Sequence, residues 1–230
     1  MVPVASSESV DKNGFAILPE VFSAKEIVSF AAELSAAALP RSRAGIRHAL
    51  GHDIVARMAS DPRLVDIARQ TLGDGAVPFR ATLFDKSLTS NWLVVWHQDT
   101  ALPIKVRRET AGWGPWSVKD GMIYSHAPAE ALEQVLALRL HLNDSNLENG
   151  PLRVLPGTHT LGVLEDRKIH DLAAEIPALD CLVASGGVIA MRPLLLHASS
   201  KSRSGLPRRV LHIEYASSAH FKSGLELAIA

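Results

Sequence analysis

The sequence holds a single cysteine, Cys181, so no intrachain disulfide can staple it and a reducing compartment is expected. It has no surplus charge: 24 Lys and Arg balance 24 Asp and Glu, which argues against broad attraction to nucleic acid or an anionic membrane. No apolar run approaches the roughly 20 residues that a membrane helix needs. Residues 1–7 lack the basic-then-apolar pattern of a secretory leader, so none is expected and the default location is cytoplasmic. Internal repeats and low-complexity tracts are missing as well. The composition, 47% hydrophobic and 21% charged over 230 residues, is that of a chain able to build a sizeable core, and the expectation is one domain over 1–230.

Residues 1–76 read as mainly helical. Ser23-Ala24-Lys25-Glu26 is a capping box, followed by Ile27, Phe30, Ala31 and Leu34 at helical spacing, with Pro40 ending the segment. A second helix opens at Asp61-Pro62 and closes at Gly73, with Leu64, Val65, Ile67, Ala68 and Leu72 on one stripe. From Val77 onward the pattern changes to short strands separated by turn residues, over 77–84, 91–99, 134–142, 152–155, 187–191, 194–198 and 209–215. Helices first and many strands afterwards predict a mainly β fold: a jelly-roll or sandwich core at 77–230 with helices packed outside. Residues 100–133 interrupt this pattern. An insertion of that length, with Trp113, Trp116, Lys119 and Tyr124, reads as a functional or disordered loop.

The sharpest local feature is Trp96-His97-Gln98-Asp99. In a strand, residues two apart share a face, so His97 and Asp99 can reach one metal while Gln98 points away. A second imidazole is available at His197, after Leu194-Leu195-Leu196 and before a polar turn. Two histidines and one carboxylate on a β scaffold form the facial triad that leaves iron(II) positions open for a chelating keto acid and dioxygen. Each piece alone also has a plain reading, a hydrogen-bonded histidine at a strand end or a chance His-x-Asp. Pro207-Arg208-Arg209 opens the last strand, and a guanidinium can grip the far carboxylate of a keto acid through two parallel hydrogen bonds. Arg208 shares a face with Val210, His212 and Glu214, and Arg209 with Leu211, Ile213 and Tyr215. The pattern does not say which face is interior.

His97-Gln98-Asp99, the run Asn149-Gly150-Pro151-Leu152-Arg153-Val154-Leu155-Pro156-Gly157-Thr158-His159, then His197 and Arg208, stand in an order that resembles the phytanoyl-CoA dioxygenase family. Asn13-Gly14-Phe15-Ala16-Ile17-Leu18-Pro19 is similar to that family's opening strand, so the resemblance covers nearly the whole chain. It implies a double-stranded β-helix, cupin-like in its core, and an iron(II)- and 2-oxoglutarate-dependent dioxygenase that hydroxylates a C–H bond of a small molecule. His97, Asp99 and His197 would bind the iron, and Arg208 rather than Arg209 would anchor 2-oxoglutarate. Gln98, Lys86 and Ser199 match positions that contact the co-substrate in relatives. One departure concerns Arg139, which stands where some relatives carry a tryptophan beside the co-substrate; it could assist with a carboxylate, bind substrate or face outward. The retained Asp99 argues against halogenase chemistry, since related halogenases carry a small residue there.

Acyl thioesters, amino-acid-like solutes and secondary metabolites are the substrate classes the resemblance allows. Lys105, Arg107, Arg108 and Lys119 beside Trp113 and Trp116 read either as a lid closing over the substrate or as a solvated loop packed on the barrel. His126, His141 and His212 are further candidates for the pocket. Two other classes compete: a cupin-like metalloenzyme that uses no keto acid, and a silent binding protein of the same fold. The oligomeric state is not legible in the sequence.

Overall fold

The structure, a computed structural model, describes residues 7–37, 39–40, 45–87 and 90–230; residues 1–6, on which most of the leader expectation falls, lie outside the described residues. The helical first third is α1 (Ser7–Asn13), α2 (Ala24–Ala36), α3 (Asp53–Ala59) and α4 (Pro62–Leu72), with strand β1 (Phe15–Leu18) between the first two and the short β2 (Gly45–Ile46) before α3. The capping box forms at the start of α2. Ser23 Oγ accepts from the Glu26 amide at 3.3 Å, and the Glu26 carboxylate accepts from the Ser23 amide at 2.8 Å. Asp61 caps α4 by accepting from the Arg63 amide at 3.0 Å, and Pro62 takes the first turn, where no amide is needed.

The β region begins with β3 (Val77–Lys86) and β4 (Val94–His97), and continues after the insertion with β8 (Val135–His141), β9 (Leu152–Val154), β10 (Leu179–Cys181), β11 (Val188–Met191), β12 (His197–Ser199) and β13 (Arg208–Ala216). One antiparallel sheet runs in the order β1-β11-β8-β13-β3-β2, and a smaller one runs β10-β9-β12-β4. This is the jelly-roll arrangement the strand pattern predicts, with helices on the outer face of the larger sheet.

The two faces of the larger sheet explain the mixed composition of its central strands. Leu136, Leu138 and Leu140 of β8, Leu211, Ile213 and Tyr215 of β13, and Ala81 and Leu83 of β3 share one apolar cluster with Ile27, Phe30, Leu34, Ile54, Leu64 and Ile67 from the helices. Each Leu or Ile buried there contributes about 1.5–3 kcal/mol. The alternate residues, Arg208, His212 and Glu214 of β13, Arg139 of β8, and Arg80, Thr82, Phe84 and Lys86 of β3, face a cavity instead. Period two thus puts Arg208 inside, on the same face as His212 and Glu214. Arg209 turns outward, where its Nε donates to Asn143 Oδ1 at 3.0 Å.

Three expectations need correction. The 91–99 strand is shorter than expected, because Asn91 leaves the ladder to bracket Ser202 with its side-chain amide, and Asp99 lies just past the strand end. The 194–198 strand is a turn with a strand starting only at His197. Leu194, Leu195 and Leu196 are apolar because the turn itself is buried, with the Leu195 amide donating to Arg192 O at 3.1 Å. The 100–133 insertion is not a structureless loop. It folds as β5 (Ala101–Pro103), β6 (Trp116–Lys119) and β7 (Met122–His126) in a third antiparallel sheet, order β5-β7-β6, followed by α5 (Ala129–Leu132). Asp120 (φ 50°) and Gly121 (φ 81°) make the tight hairpin turn between β6 and β7, the Asp-Gly pair such a turn favours. Short strands broken by Pro103, Gly112, Gly114 and Pro115 give little periodicity to read. α6 (Asp166–Glu175) completes the fold.

Candidate metal centre and co-substrate pocket

The pairing of β12 with β4 sets His197 directly across from His97, and their ring centroids are 4.2 Å apart. His97 Nδ1 lies 2.8 Å from the Val95 carbonyl and His197 Nδ1 lies 2.9 Å from the Leu195 carbonyl. A carbonyl only accepts, so each Nδ1 carries the proton and each Nε2 keeps its lone pair. Those Nε2 atoms sit 3.6 Å and 3.5 Å from the two oxygens of Asp99, whose backbone is fixed by its amide donating to Pro193 O at 2.9 Å. All three donors lie within 4.8 Å of one another, about the spread of ligands each roughly 2 Å from a shared ion.

Electrostatics keep this donor set ready for a cation. Burial pushes the His197 ring down to about 4, against the pull of Asp99. Burial would raise the Asp99 carboxyl, but the electrostatic pull of the His197 and His97 rings beside it holds it well below the usual carboxylate range. His97, nearer the surface, is also opposed by burial, yet the Asp99 carboxylate beside it raises it. Two imidazoles and one carboxylate, with one side of the group open to a cavity, fit a hard or borderline metal that keeps exchangeable positions.

The cavity is about 330 Å³ and its floor is basic. Arg208 is buried, its Nε donating to Asn149 O and its Nη2 to Ser199 Oγ, both at 3.2 Å. Lys86 is only 1% exposed; its ammonium donates to Ser199 Oγ at 2.8 Å and Ser200 O at 2.6 Å. Burial, then the charges of Arg208 and Arg139, push Lys86 down to about 7. Burial lowers Arg208 to about 9, with Arg139 adding to the effect. Arg139 donates to His212 Nδ1 at 3.0 Å, while its buried Nε has no partner among the described residues. A buried, half-satisfied guanidinium beside two other cations is costly until an anion arrives.

Of the residues read from the sequence, the structure brings His97, Asp99, His197, Arg208, Lys86, Ser199 and Arg139 to one cavity. Gln98 does not reach it. Its amide donates to Gly162 O and Leu194 O at 2.8 Å each, and its oxygen accepts from the Leu164 amide, so it braces loops on the opposite side of the strand. The expected co-substrate contact is corrected to a structural one, as the i, i+2 rule for His97 and Asp99 already requires. His212 lines the cavity, whereas His141 is buried behind Arg139 with Nδ1 on the Arg139 carbonyl at 3.0 Å, and His126 pairs with Thr100 outside it. In the insertion, Trp113 packs on Phe221 at 5.1 Å, Lys105 pairs with Glu226, Arg107 pairs with Glu109, and Arg108 donates to Ser223 O. Only Lys119 and Tyr124 of the insertion line the cavity.

The sequence reading missed Arg47, His48, Arg80 and Glu214 as cavity residues. Arg80 grips Glu214 with both Nε and Nη2. His48 Nε2 and Tyr124 Oη are 2.8 Å apart, though 76 residues separate them in the chain. The one local signal at His48 is conformational, a non-glycine residue at φ 50°, and it is invisible in the sequence.

Comparison with known proteins follows the same lines. The family model described as phytanoyl-CoA dioxygenase (PhyH) matches residues 10–210. The chain is 27% identical over 189 residues to L-proline trans-4-hydroxylase of Streptomyces griseoviridis, covering 71% of this chain and 63% of that one, so it spans less than two thirds of that relative. It is 23% identical over 265 residues to ectoine dioxygenase of Stutzerimonas stutzeri, covering 95% of this chain and 80% of that one. Among solved structures, EctD from S. alaskensis with 2-oxoglutarate and 5-hydroxyectoine superposes with a TM-score of 0.71 at 25% identity, over 95% of this chain and 77% of that one. The α-ketoglutarate-dependent epimerase SnoN from nogalamycin biosynthesis shares the fold, with a TM-score of 0.71 at 20% identity, over 94% of this chain and 80% of that one. With a match over most of its length and with strand order and pocket to accompany it, the chain belongs to the phytanoyl-CoA dioxygenase family.

Proposed function

We propose that the chain works as one iron(II)- and 2-oxoglutarate-dependent oxygenase unit, hydroxylating a C–H bond of a small molecule. The observation that carries this reading is the convergence of two Nε2 lone pairs and the Asp99 carboxylate within 4.8 Å, on the wall of a cavity whose floor holds Arg208. When bound, iron(II) with 2-oxoglutarate supplies the oxidising chemistry, in which dioxygen is split between the carbon oxidised on the substrate and the succinate formed as carbon dioxide leaves.

The protein's own part is placement. His97, Asp99 and His197 hold the ion, with the carbonyls of Val95 and Leu195 fixing both rings in the ligating tautomer. Arg208 takes the far carboxylate of 2-oxoglutarate, with Ser199 and Lys86 beside it, and the unpartnered Nε of Arg139 offers a further donor to a carboxylate. Phe84, Trp92, Val94 and Leu152 give the cavity its apolar wall and keep water from the reacting carbon. The single buried Cys181 accords with a cytoplasmic setting.

Anaerobic titration of iron(II) and then 2-oxoglutarate into the protein, followed by visible absorption, tests the reading. A weak charge-transfer band that requires both additions, and that is lost in Arg208→Ala, is expected. Metal binding with no band on adding the keto acid would instead favour a cupin-like enzyme of another chemistry.

A further inference from the structure

We propose that the outer half of the cavity receives a small organic anion with no cationic centre, its acid group held by Lys119 and Arg47 and its skeleton lying beside Tyr124. This deepens the oxygenase reading of the same cavity and rests on it.

Charge sets this preference. Among the described residues, six cationic side chains line the cavity, Arg47, Arg80, Lys86, Lys119, Arg139 and Arg208, against two carboxylates, Asp99 and Glu214. Glu214 is spent on Arg80, which holds it from two nitrogens. Asp99 is spent on the metal in the oxygenase reading, and Arg208 on the far carboxylate of 2-oxoglutarate. Depth divides the remainder: Lys86 and Arg139 are buried on the floor, while Arg47 and Lys119 are exposed at the rim. Neither rim cation forms a salt bridge with a described residue, and with the exposed Asp120 beside Lys119 the two still give this part of the rim a net positive charge.

A cationic group inside the cavity would meet no unspent carboxylate among the described lining residues, since Asp120, exposed beside Lys119, lies outside the lining. The aromatic face that would otherwise serve is also taken, because Lys119 Nζ lies 5.1 Å from the Tyr124 ring centroid and Arg80 Cζ lies 5.8 Å from it. An ammonium placed there would lose its water without gaining a partner, whereas a carboxylate would gain one. Size narrows the class further. About 330 Å³ is near the lower end for ligand sites, and the co-substrate must share it, so the site suits a compact acid better than a bulky thioester.

The positions of these groups are built into the fold. The Asp120-Gly121 turn sets Lys119 at the tip of the β6–β7 hairpin, where it pairs with Met122. His48, held at φ 50°, orients the Tyr124 hydroxyl across 2.8 Å. A left-handed non-glycine residue is tolerated where its side chain has a task that the neighbouring structure enforces.

The test measures substrate-stimulated succinate release by the iron-loaded enzyme with 2-oxoglutarate. The panel is lactate, butyrate, malonate and benzoate, set against butyramide, alanine, proline and trimethylglycine. One or more acids should raise release above the substrate-free rate, and the amide and the amine-bearing compounds should not. For a stimulating acid, Lys119→Met should raise KM about tenfold with little change in kcat, the loss expected for one charge-assisted contact. Lys119→Arg should recover most of it, and Lys105→Met, whose ammonium pairs with Glu226 away from the cavity, should change nothing. Stimulation by proline, trimethylglycine or butyramide at or above the level of the acids overturns the proposal, as does a KM untouched by Lys119→Met, or a panel in which no acid stimulates. If the wild-type protein shows no iron(II)–2-oxoglutarate absorption band, the oxygenase reading fails first and takes this one with it; a normal band with the wrong preference sinks this one alone.

Discussion

His97 and His197 face each other across one rung of the β4–β12 ladder, each with its Nδ1 proton tied to the carbonyl two residues before it. A hundred residues of chain are closed into a single register, and the repeated tie turns both rings so that their free nitrogens point at the same place as Asp99. The metal-binding proposal therefore depends on backbone as much as on side chains.

Removing a ligand should separate metal affinity from folding. Asp99→Ala and His97→Ala should each weaken iron(II) binding at least about tenfold and abolish hydroxylation, while the apo-protein melts within a few degrees of wild type. Iron(II) should raise the melting temperature of the wild-type protein, because it binds the folded state alone, and should fail to raise that of either variant. A variant that keeps full turnover would remove its residue from the ligand set.

Gly150 is where the Asn149–His159 run earns its place. It adopts φ +67°, and a Cβ there would lie 2.3 Å from the Ser200 carbonyl, the same carbonyl that accepts from Lys86. Its own carbonyl accepts from Ser199 Oγ at 2.9 Å. Gly150→Ala should cost at least about 1–2 kcal/mol from the left-handed conformation alone, with the clash adding to it. Because the strain falls on Ser199, Ser200 and Lys86 together, the affinity for 2-oxoglutarate should drop in calorimetric titration even in preparations that remain folded.

Much of this architecture is legible in the chain, and the rest is hidden for identifiable reasons. Capping chemistry marks α2 and α4 because it is local. Alternation groups Arg208 with His212 and Glu214, but both faces of β13 are buried, one against helices and one around the cavity, so alternation alone cannot choose the interior. Leu194–Leu196 mislead because burial, rather than strand geometry, makes them apolar. Asp120-Gly121 is a local signal for the hairpin carrying Lys119 and Tyr124, but the contacts of Tyr124 with His48 and Arg80 are products of tertiary packing and leave no short-range pattern.

His141 supplies an acid-sensitive point away from the metal ligands. It is 1% exposed, and burial, with the charges of Arg139 and Arg208, pushes its pKa from 6.5 to about 3. The unfolded chain then binds the proton more readily than the folded one over that interval. The stability His141 permits is thus fully present above pH 6.5 and is lost as the pH falls towards 3. Between pH 8 and pH 5 this one group should cost about 2 kcal/mol of folding stability. Urea denaturation of the apo-protein across that range should show a fall of at least that size, since the buried His197 is lowered as well, and His141→Gln should reduce the fall by about 2 kcal/mol whatever its effect at pH 8.

Lys86 should report on the anion that occupies the floor. Its pKa of about 7 reflects burial and two neighbouring guanidinium groups, so near neutral pH it is partly deprotonated. A dianion bound beside it favours the charged form and raises that value, which requires the protein to take up a proton on binding 2-oxoglutarate between about pH 7 and 8.5. Calorimetric titrations in two buffers of different ionisation enthalpy should reveal the uptake, and Lys86→Met should abolish it. Equal apparent enthalpies in both buffers for the wild-type protein would place the bound anion out of reach of Lys86.

Arg208 divides shape from charge. Its Nε and Nη2 are already oriented by Asn149 O and Ser199 Oγ, which holds the planar group in the pocket ready for a two-point grip. A lysine at this position would keep the charge but lose the planar fork, and would crowd a second ammonium against Lys86. Arg208→Lys should therefore weaken 2-oxoglutarate binding about tenfold or more, nearly as much as Arg208→Ala, while leaving iron(II) affinity unchanged because the metal ligands are on other strands. If lysine restored wild-type affinity, charge alone would be sufficient at this end of the cavity, and the fixed guanidinium geometry would have no part in anchoring the co-substrate.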